Sequence, residues 1–180
     1  MQKYKTREIV TVGIAVAINI IGAFVAVTTK VPLLLDHIGT MLICLMFGWR
    51  MAVACAFVSS CIVAMLFDPY ALPFAPTGML MIFMLGVFLE HDLVEKLAAP
   101  VSMLLIVLPA SILGAIIAGY IFGGVTSSGS SIIVRFLINS GLNPALSTFV
   151  IQFFMEYFDR LMSFYIAKKI YGRFYIDKIQ

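Results

Sequence analysis

Residues 9–29 read IVTVGIAVAINIIGAFVAVTT, twenty-one positions without a charged side chain. A helix needs ~20 predominantly apolar residues to cross a ~30 Å hydrocarbon layer, so this segment reads as a membrane helix. It exceeds the roughly 7–15-residue apolar core of a cleavable signal and is expected to be retained. Outward from it, the charges cut the remaining chain into apolar blocks at 38–49, 51–67, 69–89, 97–134 and 136–155. The whole chain of 180 residues is 62% hydrophobic and 12% charged, with mean hydropathy +1.08. Soluble domains lie near ~45–50% apolar and ~25% charged. A β-barrel would need ~10-residue alternating segments, and none is present. The expectation is an all-α integral membrane protein forming one membrane domain over residues 1–180.

The block lengths predict six transmembrane helices, at about 8–28, 36–49, 51–67, 77–90, 102–123 and 144–170. The second has a charge-free core of only 12 residues, more typical of a buried or re-entrant helix. The charges decide whether to count it. Lys3, Lys5 and Arg7 precede the first helix, and Lys168, Lys169, Arg173 and Lys178 follow the last. The positive-inside rule then puts both termini in the cytoplasm, which requires an even number of crossings. With six, Arg50 and Lys96 join the inside set, and only Lys30 and Arg135 fall outside. The outside loops are then 29–35, 68–76 and 124–143. The third opens on the flexible serine-rich stretch 126–131 and continues through an apolar piece, 132–138, too short to span. Asn143-Pro144 supplies a cap and a proline at the first helical position, fixing the start of the last helix.

Several features carry candidate chemistry. Gly13 and Ala17, like Gly22 and Ala26, are small residues four apart, as are Ala110, Gly114 and Ala118. Such spacing lets another helix approach closely, either within the chain or from a second membrane protein. Asp36 and His37 precede Ile38-Gly39-Thr40; Asp36 is read as a helix cap, a ligand-facing group, or both. Asp68-Pro69-Tyr70-Ala71-Leu72-Pro73-Phe74-Ala75-Pro76 is a proline-stiffened loop. It forms either an interfacial aromatic belt or a lid presenting Tyr70 and Phe74 to a flat ligand. Glu156, Asp159 and Arg160 fall near mid-membrane, where ionisable groups mark function by default. Glu156 and Arg160 stand at i,i+4 in the favourable order and can neutralise each other, with Asp159 paired to an arginine elsewhere, or all three can face a ligand. Asp159 is expected to stand apart from that pair and face the ligand. Asn19 and Gln152 are further polar groups within the helices, where each can bond across to a neighbour.

Enzyme classes fit poorly. No GK[ST] phosphate loop is present, so ATP is not hydrolysed by this chain. Three cysteines give neither a disulfide framework nor metal spacing. The only histidines are His37 and His91; His91 falls on the side opposite the serine-rich third loop, and no Gly-framed serine within a helix stands at matching depth to a histidine, so no serine–histidine device is read. No catalytic residue, metal or cofactor is expected.

Three parts of the chain carry a resemblance: Thr11-Val12-Gly13-Ile14-Ala15-Val16-Ala17 in the first helix; Leu35-Asp36-His37-Ile38-Gly39-Thr40 on to Gly48, with Asp68-Pro69-Tyr70 and Phe74-Ala75-Pro76; and Glu156-Tyr157-Phe158-Asp159-Arg160 in the last helix. The chain resembles the substrate-binding membrane subunit, the S component, of energy-coupling-factor (ECF) vitamin transporters over nearly its whole length. In that family the first helix carries an Ala-x-x-x-Ala-like motif, and here Gly13-x-x-x-Ala17 stands in its place. The resemblance implies a six-helix bundle that holds a vitamin or precursor in its outer half. It also implies a transmembrane T protein and two cytoplasmic ATPase subunits as partners, with docking at Gly13 and Ala17. The setting implied is a bacterial cell membrane; no nucleic acid is involved. The substrate-binding residues expected are Asp36, His37, Asp68, Tyr70, Phe74, Gln152, Glu156, Asp159 and Arg160, with Arg135 a further candidate. This set is more acidic than basic, and an anion would need positive donors. A neutral or cationic ring, pyridoxine-like or hydroxymethylpyrimidine-like, is therefore favoured over pantothenate, riboflavin or cobalamin. Two other classes compete. A membrane sensor region should be fused to an output domain, whereas the tail ends about ten residues past the last helix. A stand-alone secondary transporter usually shows an internal repeat, and residues 1–90 show no likeness to 91–180.

Overall fold

The computed structural model describes residues 5–29, 35–123 and 131–176. Every regular element among them is a helix: α1 (Thr6–Thr29), α2 (Ile38–Phe47), α3 (Trp49–Leu66), α4 (Ala71–Glu90), α5 (Leu93–Lys96), α6 (Ala99–Ile116), α7 (Ser131–Asn139) and α8 (Pro144–Ile176). A π-helical turn, Ile117–Ile121, extends α6.

Four of these helices are long and apolar enough to cross a membrane: α1, α3, α4 and α6 with its π turn. Their exposed faces are apolar. Ile9, Ile14, Ile21 and Phe24 face outward on α1, as do Leu104, Leu108, Ile112 and Ile116 on α6. In water so large an apolar surface would drive aggregation; in lipid it is the matching surface. The arrangement is compatible with a multi-pass membrane protein.

The short helix α2 is the centre of the bundle. Every residue from Gly39 to Cys44 is buried, and α1, α3, α4 and α8 pack around it. A helix apolar on all sides must be enclosed, which accounts for its brevity and its lack of charge. Close approach is built in at Gly39, where a Cβ would run into the Ala15 carbonyl of α1. Gly48 alone joins α2 to α3, with φ +85, a left-handed backbone that favours glycine. Trp49, expected to end the second helix, and Arg50, expected between the second and third, form the first turn of α3. The core beneath comprises Met41, Ile43, Met81, Ile82, Leu85, Met103, Ile106 and Phe164.

The structure departs from the sequence expectations in three places. Helix α4 starts at Ala71, not at 77, and absorbs both Pro73 and Pro76. Pro73 sits in the first turn, where backbone N–H groups lack helical partners anyway. The expected proline-stiffened loop therefore shrinks to 67–70. Residues 131–139 of the third loop form α7, packed on α8, with Val134 buried and Arg135 exposed. Helix α8 continues to Ile176, past the expected end at 170. Its start agrees: Asn143 Oδ1 accepts a hydrogen bond from the Leu146 amide at 3.3 Å. The stretches 30–34 and 124–130, and the terminal Lys3 and Lys178, lie outside the described residues.

The small-residue pairs separate into two kinds. A Cβ at Gly22 would strike the Leu35 carbonyl, and Ala26 is buried, so this pair packs inside the chain. Gly13 and Ala17 face outward, and a Cβ at Gly13 would meet nothing within 4 Å. Among the described residues, the Gly13 pair lies on an open face.

Candidate functional site

Polar side chains on α8 and on the segment ahead of α2 meet inside the bundle. Arg160 Nη1 donates to Asp36 Oδ1 at 2.7 Å and to Asp159 Oδ2 at 3.0 Å. Asp159 Oδ1 in turn accepts from the Leu35 amide at 3.0 Å. Leu35 has a left-handed backbone, φ 51, which turns the chain into α2. Asp159 and Arg160 thus clamp residues 35–36 onto α8. This corrects the pairing read from spacing: the ion pairs of Arg160 are with Asp36 and Asp159 rather than with Glu156, so Asp159, 1% exposed, does not stand apart from the arginine. Glu156 instead accepts a hydrogen bond from the Ser111 hydroxyl of α6 at 2.6 Å.

Helix α2 also receives its cap from elsewhere. His37, not Asp36, occupies the N-cap position, and no side chain of the segment caps the helix. Asn19, from the middle of α1, does so: its Oδ1 accepts from the amides of Gly39 at 2.8 Å and Thr40 at 3.4 Å. Its Nδ2 donates to Thr40 Oγ1 at 2.6 Å and to Ser59 Oγ at 3.1 Å. One buried amide therefore ties α1, α2 and α3 together, satisfying N–H groups that a helix start leaves without partners.

His37 lies between this cap and the clamp. Its Nδ1 is 2.7 Å from Asp36 Oδ1, without the alignment of a hydrogen bond, and its buried Nε2 has no partner among the described residues. Gly78 of α4 makes room for the ring; a Cβ there would lie 2.5 Å from Nε2. At the start of α4, Asp68 Oδ1 accepts from the Tyr70 amide at 3.2 Å. Tyr70 and Phe74 both pack on Phe122, with ring centroids 5.0 Å and 6.0 Å apart.

These groups surround one cavity, with about 130 Å³ in which the centre of a water-sized sphere can move. A single water needs roughly 10–15 Å³ on that measure, so the space suits a small organic molecule. Asp36, His37, Asp68, Tyr70, Phe74, Gln152, Glu156, Asp159 and Arg160 all line it. Residues far apart in sequence thus share one wall. Arg135 does not line it; it lies exposed on α7. Sequence reasoning missed Ser111, Thr77, Gly78 and Phe122. A serine or threonine in an apolar helix carries no sign of its partner, and Phe122 reads as one more interfacial aromatic. Among the described residues no group of His, Cys, Asp or Glu is arranged to hold a metal.

The chain matches no family model, no curated protein and no solved structure.

Proposed function

We propose that this chain is the substrate-binding membrane subunit of an ECF-type importer. It would capture a vitamin or vitamin precursor from outside and deliver it through an ATPase-driven module. The observation that supports this most is a carboxylate-lined cavity, big enough for a small ring compound, inside a bundle whose outer faces are apolar. A chain with such a cavity and no phosphate loop is equipped to bind but not to drive transport.

In this reading α2 and α8 cross the bilayer together with α1, α3, α4 and α6. That gives six crossings with both termini in the cytoplasm of a bacterial cell. The acceptor-rich cavity favours a neutral or cationic ring, pyridoxine-like or hydroxymethylpyrimidine-like. The outward pair Gly13 and Ala17 is the docking face for the T protein, since small side chains let a second backbone approach. ATP binds to the partner ATPase subunits. Purification of the native protein in mild detergent tests the reading. Co-purification of a membrane T protein and two ATPase subunits supports it, and a chain that purifies alone from its own cells overturns it.

A further inference from the structure

The cavity contains more negative than positive groups, and their pairing is uneven. Arg160 is held through Nη1 by two carboxylates, Asp36 and Asp159, so its positive charge is already balanced within the protein. Glu156 lines the same cavity but forms no ion pair among the described residues; its one hydrogen bond comes from a neutral hydroxyl, to Oε2. Gln152, one turn earlier on α8, has a buried Oε1 without a partner among the described residues. Gln152 Oε1 and Glu156 Oε1 converge on Gly114 of α6, where a Cβ would lie 3.6 Å from the first and 3.9 Å from the second. His37, another residue lining the cavity, also has a buried Nε2 without a partner among the described residues. Buried polar atoms are nearly always satisfied, and a buried carboxylate in an apolar bundle calls for a compensating positive charge.

Resting on the reading that this cavity receives a ligand, we propose that Glu156 is its charge-selecting anchor. The ligand is a flat cation that presents an edge of N–H donors to Glu156 Oε1 and Gln152 Oε1. Tyr70 and Phe74 offer it aromatic surface, which favours a flat positive ring. Arg160 is a positioning residue that holds the 35–36 segment and does not contact the ligand.

Two probes of nearly equal shape and opposite charge test this. Benzamidine is a flat cation with a two-donor edge, and benzoate is its anionic counterpart. A reporter cysteine is placed on the cavity wall by Ser60→Cys, with Cys61→Ala removing the adjacent thiol. Alkylation of purified protein by N-ethylmaleimide is then timed with each probe at millimolar concentration. Benzamidine is expected to slow alkylation roughly threefold or more by charge-assisted bonding, and benzoate to leave it unchanged. Glu156→Gln, which can still accept from Ser111, is expected to abolish the protection, and Gln152→Leu to weaken it. Where Glu156→Gln does not accumulate, Glu156→Asp withdraws the carboxylate and should weaken it.

Protection by benzoate would show that Arg160 receives an anion and would overturn the proposal. Protection by neither probe, or protection by benzamidine that survives Glu156→Gln, would overturn it as well. Co-purification with ATPase subunits is a separate readout. A complex that forms without benzamidine protection refutes only the cationic ligand, and protection without a complex refutes only the importer.

Discussion

Arg160 Nη1 lies 2.7 Å from Asp36 Oδ1, joining residues 124 positions apart in the chain. This pair, with Asp159 beside it, fixes the segment ahead of α2 against α8. Removing Arg160 leaves the buried Asp159 and the half-buried Asp36 carboxylate without their counter-ion. Arg160→Met should therefore cost about 3–5 kcal/mol of stability, visible as a large fall in melting temperature of ligand-free protein in detergent. A variant that melts with the parent would show that the clamp does not hold the fold.

Asp159 and Glu156 should separate in the same assay. Asp159→Asn loses the charge opposite Arg160 in a nearly inaccessible site, so ligand-free stability should drop by roughly 1–3 kcal/mol. Glu156→Gln keeps an acceptor for Ser111 and should leave the ligand-free melting temperature nearly unchanged. The reverse order would restore the Glu156–Arg160 pair read from sequence spacing.

Asn19→Leu should cost about 1–3 kcal/mol, because the Gly39 amide loses its buried acceptor. Asn19→Asp can still accept from Gly39 but cannot donate to Thr40 and Ser59, and it buries a charge, so it too should destabilise. Equal stability of Asn19→Leu and the parent would mean that the cap is dispensable.

Two glycines on neighbouring helices should respond in opposite ways. Gly39→Ala pushes a methyl into the Ala15 carbonyl and should lower stability and folded yield. Gly13→Ala meets open space and should be neutral, or stabilising by up to about 1 kcal/mol from helix propensity. Bulk at the outward face is a different matter: Gly13→Leu with Ala17→Leu should leave the isolated chain folded but abolish co-purification with partner subunits. Retained co-purification would place docking elsewhere.

Phe122→Ala removes the ring on which Tyr70 and Phe74 rest. Aromatic pairs are worth about 0.5–1.5 kcal/mol, so a cysteine placed at Ser60 should be alkylated roughly threefold to tenfold faster. An unchanged rate would show that Phe122 has no part in closing the cavity.

The ionisable residues of α8 were legible because each interrupts an apolar run. Their partners were not. Sequence spacing favours i,i+4 neighbours on one helix, whereas Arg160 reaches Asp36 on another segment. Asp36 before an apolar run reads as a cap, yet the cap comes from Asn19, whose role is visible only once α1 lies across α2. The three prolines of 68–76 suggest a loop, yet Pro73 falls in the first turn of α4, where its missing N–H costs nothing. Helix α7 was missed because nine residues are too few to span a bilayer, and a short helix lying against another leaves little trace in composition.

Helix α8 is 33 residues long, or about 50 Å at 1.5 Å per residue. A hydrocarbon layer of ~30 Å would cover only about 20 of those residues in an upright helix. In the proposed bilayer orientation α8 must lean or protrude, and its angle is then set in part by the lipid around it. Because Asp159 and Arg160 hold the 35–36 segment on this same helix, the thickness of the host membrane becomes a variable of the cavity itself. Reconstitution in short- and long-chain lipids should therefore be treated as two different conditions for binding.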